Sequence, residues 1–289
     1  MRLRTALFGV LLFLQGALVV TGGAVRLTGS GLGCPTWPEC TPGSYTPVPY
    51  QAEGQLHAWI EFGNRLLTFA LLLSALVAVI YVLQSGRKDL RSLAAGQVLG
   101  ILGQGVLGGI TVLTDLHPLP VAGHLLLSML LIAGATSIYS RRHEPHLKVS
   151  APTKTVSLLS KTHIAVSFIV LILGTIVTGS GPHAGDEKAQ RFGFDIRSVA
   201  ILHADAVIFL MGVTIALLVA ASVTHSTKKA VYIFFGISLA QGGVGYAQYL
   251  TGIPELLVAI HLAGATIFWI AAWRIRLSVV RTSQQERDQ

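Results

Sequence analysis

Long apolar stretches separated by short polar connections run through this sequence from end to end. A helix needs roughly 20 apolar residues to cross a hydrocarbon layer about 30 Å thick. By that criterion we predict eight transmembrane helices, at 5–25, 56–83, 92–114, 121–140, 158–179, 199–222, 231–251 and 256–275. The first stretch opens with two arginines, as a signal peptide does. It is longer than a signal peptide and lacks a small-residue cleavage site, so we expect a helix there.

Composition places the chain among membrane proteins. Hydrophobic residues make up 52% and charged residues only 12%, and the mean hydropathy is +0.65, which excludes an ordinary soluble domain. With the N-terminus inside, 16 of the 21 lysines and arginines fall on one side of the membrane. The positive-inside rule then places both termini in the cytoplasm, for a multi-pass protein of the cell membrane. The net charge of +8 therefore reflects topology and predicts no nucleic-acid partner.

The second half of the chain repeats features of the first half in the same order. Gln104 is followed twenty residues later by His124, and Gln241 is followed twenty residues later by His261. The segment TGSG at 28–31 returns at 178–181, and the region of Asn64 returns at His203. Four helices in each copy give both copies the same orientation. We predict an all-α integral membrane fold of two duplicated four-helix bundles in parallel orientation.

This duplication divides the chain into four parts. The first bundle occupies 1–145, a basic cytoplasmic linker 146–157, the second bundle 158–280, and a polar cytoplasmic tail 281–289. Two long outer loops, 26–54 and 180–198, lie at matched positions in the two bundles. Because functional loops sit on a rigid scaffold, we expect these two loops to cover two sites.

Four histidines lie at similar depth near the outer ends of the predicted helices: His57, His124, His203 and His261. Two neutral imidazoles on facing helices match a low-spin haem site within a four-helix bundle. A zinc site needs a third or fourth ligand, and a proton relay needs nearby carboxylates. We therefore expect haem between His203 and His261. The alternative is interfacial histidines bound to loop carbonyls.

The first bundle departs from this symmetry, because Asn64 stands where the second bundle has His203. His57, Glu61 and Asn64 follow i, i+4, i+7 spacing and share one helical face. A carboxylate inside a membrane helix is a candidate functional group by default. For Glu61 the alternative is an ion pair with Arg65, one turn away. The asymmetry suggests one copy with a permanent cofactor and another that handles a reacting ligand.

Cys34 and Cys40 are the two cysteines of the chain, and both lie in the first long outer loop. The outer face is oxidising, so the pair can form a disulfide or a redox couple. The alternative is two unpaired thiols.

The chain resembles the haem A synthase family at GGAVRLTGSGLGCPTWPEC, IEFGNR, AGHLLLSM, VTGSGPHAGD, ILHADAVIF and AIHLAG. The resemblance implies haem b held by His203 and His261 in the second bundle. It implies haem O as substrate in the first bundle, where the C8 methyl group is oxidised to a formyl group by successive hydroxylations. Family members carry a histidine three residues after the glutamate, where this chain has Asn64. The substrate haem is thus ligated by His124 alone, or with His57 or Asn64 as a second partner.

The resemblance also implies a catalytic role for Glu61 and a disulfide between Cys34 and Cys40. Expected partners are haem O, a haem O synthase that delivers it, membrane lipid and an electron acceptor or donor of unknown identity. Arg26 and Arg197 are candidates for contact with haem propionates, because arginine suits carboxylates. The alternative function is a bis-histidine cytochrome b that passes electrons to or from quinone.

Overall fold

The computed structural model describes residues 2–143, 152–187, 189–220 and 225–282. Over these residues it contains eight helices: α1 (Arg2–Leu27), α2 (Gln55–Gln84), α3 (Lys88–Leu113), α4 (Pro118–Ser140), α5 (Lys154–Ser180), α6 (Ile196–Val219), α7 (His225–Leu250) and α8 (Glu255–Thr282). Each is long and apolar enough to cross a membrane. The all-α class and the eight predicted helices are confirmed, and the chain is a multi-pass membrane protein. Duplication and parallel orientation stay predictions.

The observed helices mostly extend beyond the predicted apolar stretches. Helix α7 begins at His225, ahead of the predicted start at 231, and α8 continues to Thr282. Polar residues at helix ends keep helical geometry in the headgroup layer, which an apolar-run criterion does not count. Half of the predicted linker, at 146–151, and most of the predicted tail, at 283–289, lie outside the described residues.

The chain divides into two compact units. The first unit comprises Met1–His143 together with Thr175–Ile196, and the second comprises Glu144–Gly174 together with Arg197–Gln289. Chain order alone assigns the α5–α6 loop to the second half, but its contacts group it with the first unit. The backbone N–H of Gly31, for example, donates to the carbonyl of Gly185 at 2.9 Å.

The first unit is a four-helix bundle. Helix α1 packs against α2 and α4, and α3 packs against the same two helices, so α2 and α4 lie diagonally across the bundle. A cluster of buried apolar side chains fills its interior, including Phe8, Leu11, Leu71, Ile101 and Ile138. In a membrane such packing is stabilised by van der Waals contact and interhelical hydrogen bonds, since lipid tails are equally apolar.

Two buried glutamines supply hydrogen bonds of this kind. Gln15 Nε2 on α1 donates to Gln97 Oε1 on α3 at 2.9 Å, and Gln97 Nε2 donates to the carbonyl of Leu131 on α4 at 3.0 Å. Gly134 on α4 gives Gln97 room, because a Cβ at position 134 would lie 2.6 Å from Gln97 Nε2. The chain of amides ties three helices together within the bundle.

The second unit is held together by aromatic rings. Phe234 on α7 packs against Phe268 on α8, with ring centroids 5.0 Å apart. His163 on α5 meets the Phe234 ring edge-on at 4.6 Å. Phe168 on α5 packs against Trp269 on α8 at 5.5 Å. These contacts join α5, α7 and α8 at one layer of the unit.

Candidate haem sites

The same local arrangement occurs in all four successive helix pairs. A polar side chain on the second helix of each pair packs on a glycine of the first helix, and the sequence repeat aligns Gly108 with Gly245. A Cβ built on these glycines would lie 4.0 Å from Asn64 Nδ2 (Gly22), 3.6 Å from His124 Nε2 (Gly108), 3.4 Å from His203 Cε1 (Gly174) and 3.4 Å from His261 Cε1 (Gly245). A Cβ at these distances would make ordinary van der Waals contact, so only side chains larger than alanine would crowd the polar groups.

His203 and His261 form the pair in the second unit. Each residue is partly exposed, and the two are close enough to interact electrostatically. Among the described residues, neither buried Nδ1 atom has a partner with full hydrogen-bond geometry, although the His203 ring lies near the backbone of Val170. Asp205 is exposed, so it is not turned inward for a proton relay. Two imidazoles with a glycine beside each are the donor set that a haem needs.

The arrangement does not match a site for a bare metal ion. In the part of the chain that the structure describes, no three side chains of His, Cys, Asp or Glu come together. A tetrahedral zinc site would need at least three such ligands. A porphyrin already supplies four nitrogens, so two axial imidazoles complete its coordination.

His124 has a defined hydrogen-bond environment in the first unit. Its Nδ1 contacts Oε1 of Gln104 on α3. Gln104 Nε2 donates to the carbonyl of His124 at 3.1 Å and to Ser128 Oγ at 2.7 Å. The imidazole is thereby held against α3, with Nε2 on the side of Gly108.

Asn64 lies on α2, the helix diagonally opposite α4. Thr21 Oγ1 donates to Asn64 Oδ1 at 2.7 Å, so this oxygen is already engaged with α1. The amide group of Asn64 keeps its two N–H donors. The residue at this position can donate a hydrogen bond, whereas a histidine there could ligate iron.

Glu61 and Arg65 form the ion pair that was one of the two interpretations of Glu61. Arg65 Nη2 lies 2.6 Å from Glu61 Oε1, and the carboxylate is almost fully buried. The other carboxylate oxygen accepts from the backbone N–H of Cys34 at 2.7 Å. Arg65 also donates to the carbonyls of Cys34, Thr36 and Glu39. Both side chains therefore connect α2 to the α1–α2 loop.

Cys34 and Cys40 form a disulfide within that loop. The loop packs closely on the bundle, because a Cβ on Gly33 would overlap the backbone carbonyl of His57. The Trp37 ring lies against Gly109 of α3, where a Cβ would come within 2.7 Å. The expected disulfide is confirmed, and unpaired thiols are excluded.

The remaining candidates are engaged with loops or exposed. His57 Nδ1 lies 2.9 Å from Ser30 Oγ. Arg26 Nε and Nη2 donate to the carbonyls of His183 and Thr178, at 2.5 and 2.8 Å. Arg197 is exposed in the first turn of α6.

Two functional contacts were missed by sequence reasoning. The repeat marked Gln104 but gave no indication of its contact with His124. The hydrogen bond from Thr21 to Asn64 was not expected either. Each contact joins residues on different helices, so local spacing carries no signal for it.

Comparison with known proteins gives a consistent result. The model of the COX15-CtaA family, described as Cytochrome oxidase assembly protein, matches residues 5–185. A heme A synthase of Sinorhizobium fredii is 25% identical over 92% of this chain and 87% of its own length. A heme A synthase of Rhizobium leguminosarum bv. trifolii is 26% identical over 92% of this chain and 88% of its own length. A heme A synthase of Shewanella oneidensis is 31% identical over 61% of this chain and 53% of its own length.

Proposed function

Because the chain belongs to the COX15-CtaA family of cytochrome oxidase assembly proteins, we propose that it is a haem A synthase of the cell membrane. Its reaction would oxidise the C8 methyl group of haem O to a formyl group by successive hydroxylations, as an oxidoreductase. The product would serve the maturation of haem-copper terminal oxidase. The observation that carries this proposal is the recurrence of a histidine packed on a glycine in both units, at His124, His203 and His261.

His203 and His261 are the proposed axial ligands of haem b. Their half-buried rings and the glycines beside them support this assignment. Haem b would supply an iron that takes up or releases single electrons.

His124 is the proposed ligand of the substrate haem O. Its Nε2 faces the space beside Gly108, and Gln104 holds the opposite edge of the ring. Asn64 shares its oxygen with Thr21. His57 lies in the first turn of α2 and is bound to Ser30 of the α1–α2 loop, whereas His124 has its Nε2 beside Gly108 of α3. We therefore propose that His124 alone ligates the substrate and that Asn64 lines the opposite side.

Glu61 is the proposed catalytic group. It lies one turn from Asn64 on α2 and forms an ion pair with Arg65. A carboxylate fixed at this place favours positive charge that develops on the substrate during oxidation. The same pair holds the disulfide loop above α2, so it would also position the loop that covers the substrate. Arg26, through its remaining N–H groups, and Arg197 stay predicted propionate contacts.

The proposed partners follow from this chemistry. Haem O is produced by a haem O synthase, which would deliver it within the membrane. The conversion of a methyl group to a formyl group is an oxidation. It needs an electron acceptor if water supplies the oxygen, and an electron donor if dioxygen supplies it.

One set of variants tests the proposal. The full chain is co-expressed with a haem O synthase, and the bound haems of wild type, His124→Ala, His203→Ala and His261→Ala are extracted and separated by chromatography. We expect wild type to contain haem b and haem A. We expect His203→Ala and His261→Ala to lose haem b, and His124→Ala to keep haem b while it loses haem A. Haem b alone in the wild type would instead identify a cytochrome b that exchanges electrons with quinone.

Glu61 is tested separately with the isosteric variant Glu61→Gln. Glutamine can still accept from the Cys34 N–H, so the loop contact is kept while the charge is lost. We expect normal haem b content and a loss of haem A of at least about 100-fold, the usual scale for one electrostatic group. Undiminished haem A would remove Glu61 from the chemistry and leave it the structural role alone.

A further inference from the structure

The side-chain amide of Gln104 has only one orientation that satisfies its neighbours. Ser128 Oγ donates to the carbonyl of His124 at 3.1 Å, so it must accept the hydrogen bond from Gln104 Nε2. The same nitrogen donates to the carbonyl of His124. The amide nitrogen therefore faces two acceptors, and the oxygen of Gln104 is the atom left beside His124 Nδ1.

This orientation determines the protonation of the imidazole. An amide oxygen accepts hydrogen bonds and cannot donate. His124 Nδ1 must therefore carry the hydrogen, and Nε2 must carry the lone pair. That lone pair is on the edge of the ring beside Gly108.

The equivalent glutamine in the second unit makes no such contact with a histidine Nδ1. Gln241 precedes His261 by twenty residues, as Gln104 precedes His124. Among the described residues, however, His261 Nδ1 has no hydrogen-bond partner. The amide nitrogen of Gln241 occupies the place where a side chain at Gly264 would begin.

Two sequence differences on α8 account for this. The counterpart of Gly264 on α4 is Leu127, which has a side chain where Gly264 has none, and the counterpart of Ser128 is Ala265, which has no hydroxyl. In the second unit the side chain of Gln241 can therefore lie against Gly264, and no serine hydroxyl is present to accept a hydrogen bond from its amide.

We propose that Gln104, oriented by Ser128, is a positioning residue that fixes the tautomer and direction of His124 and so prepares Nε2 to ligate the substrate haem. The inference rests on the proposed function, since it assumes that His124 is the ligand. Hydrogen bonding at Nδ1 raises the basicity of a metal-binding imidazole and sets its orientation. The duplicated glutamine would thus distinguish the two sites, with a positioned imidazole at His124 and an unconstrained one at His261.

The tautomer is tested in the haem-free full-length protein, with ¹⁵N-labelled histidine in lipid bilayers and solid-state NMR. The His124 signals are assigned by their absence from His124→Gln. We expect a protonated Nδ1 and an unprotonated Nε2 in wild type, and a mixture of tautomers in Gln104→Leu. A protonated Nε2 in wild type, or an unchanged pattern in Gln104→Leu, would overturn the inference.

The consequence for ligand binding is measured by titration with haemin. Loss of an outer hydrogen bond to a ligating histidine typically weakens the site about 10- to 100-fold, and we expect this for the His124-dependent component in Gln104→Leu. The matched variant Gln241→Leu should leave the ¹⁵N NMR signals of His261 unchanged, because that glutamine does not contact Nδ1. Equal affinity in Gln104→Leu and wild type would contradict a positioning role.

The two hypotheses fail in different ways. If haemin binding does not depend on His124 while its tautomer is fixed by Gln104, the ligand role of His124 is wrong and the positioning claim falls with it, although the hydrogen bond stands. If haemin binding depends on His124 but not on Gln104, the proposed substrate site stands and the further inference is wrong.

Discussion

Arg65 Nη2 lies 2.6 Å from Glu61 Oε1, and the same nitrogen donates to the carbonyls of Cys34 and Thr36. One guanidinium group thus neutralises the carboxylate on α2 and binds the loop that contains the disulfide. Arginine suits this position because its planar group offers five donors. The proposed catalytic residue and the covering loop are therefore coupled through Arg65.

Replacement of Arg65 by leucine is expected to destabilise the protein by about 3 kcal/mol, because it leaves a buried carboxylate without its partner. The loop should also loosen, and the disulfide should become easier to reduce. Thermal unfolding in detergent and the rate of thiol labelling after mild reduction measure the two effects.

The double variant Glu61→Gln/Arg65→Leu is the control for that experiment. It removes the unpaired charge, so we expect it to be more stable than Arg65→Leu alone. Equal stability of the two variants would show that the ion pair contributes little.

The proposed haem site at His124 can be tested at Gly108, because a side chain there would enter the space beside His124 Nε2. Gly108→Val is expected to weaken haemin binding at the His124-dependent site by about tenfold or more, the scale of overpacking. Gly105 lies on the same helix, and among the described residues a Cβ at that position would meet no atom within 4 Å. Gly105→Val should therefore bind haemin as wild type does, and a matching loss in both variants would point to general damage to α3.

A substitution at Asn64 is expected to add a ligand to the proposed haem site of the first unit. Asn64→His places an imidazole on α2, diagonally opposite α4. If His124 binds haem as proposed, the new imidazole can complete the coordination of the iron. We expect the optical and electron paramagnetic resonance spectra of this haem to become low-spin, with tighter haemin binding. Thr21→Val, which removes the hydroxyl that bonds Asn64 and the Leu18 carbonyl but adds no ligand, should leave the spin state unchanged. A high-spin spectrum in Asn64→His would show that position 64 does not reach the iron.

The hydrogen bond between Gln15 on α1 and Gln97 on α3 gives a prediction for the free energy of unfolding. Gln97→Leu leaves Gln15 without its acceptor and the carbonyl of Leu131 without its side-chain donor, at an expected cost of about 1 kcal/mol. The double variant Gln15→Leu/Gln97→Leu removes both amides and should recover part of that loss. Reversible unfolding in mixed micelles measures the difference. A double variant less stable than Gln97→Leu would contradict a mutual hydrogen bond.

The sequence by itself determined the number of helices and their approximate ends, because hydrocarbon thickness imposes a length that apolar runs report directly. It also identified the ionisable residues worth examining, since a charge or imidazole in such a run is costly without a function. His124, His203, His261 and Glu61 were all found in this way. The repeat of Gln104 and Gln241 was visible too, but not the different use of the two side chains.

Tertiary structure alone decided which partners these residues have. Glu61 could have faced the substrate freely or formed an ion pair, and only the packed loop shows that Arg65 and the Cys34 N–H both contact it. Gln104 and Gln241 have the same spacing to a histidine, yet their side-chain amides lie in different places. The difference follows from Leu127 in the first unit standing where the second unit has Gly264. Hydrogen bonds between helices depend on atoms brought together by packing, and no local periodicity encodes that distance.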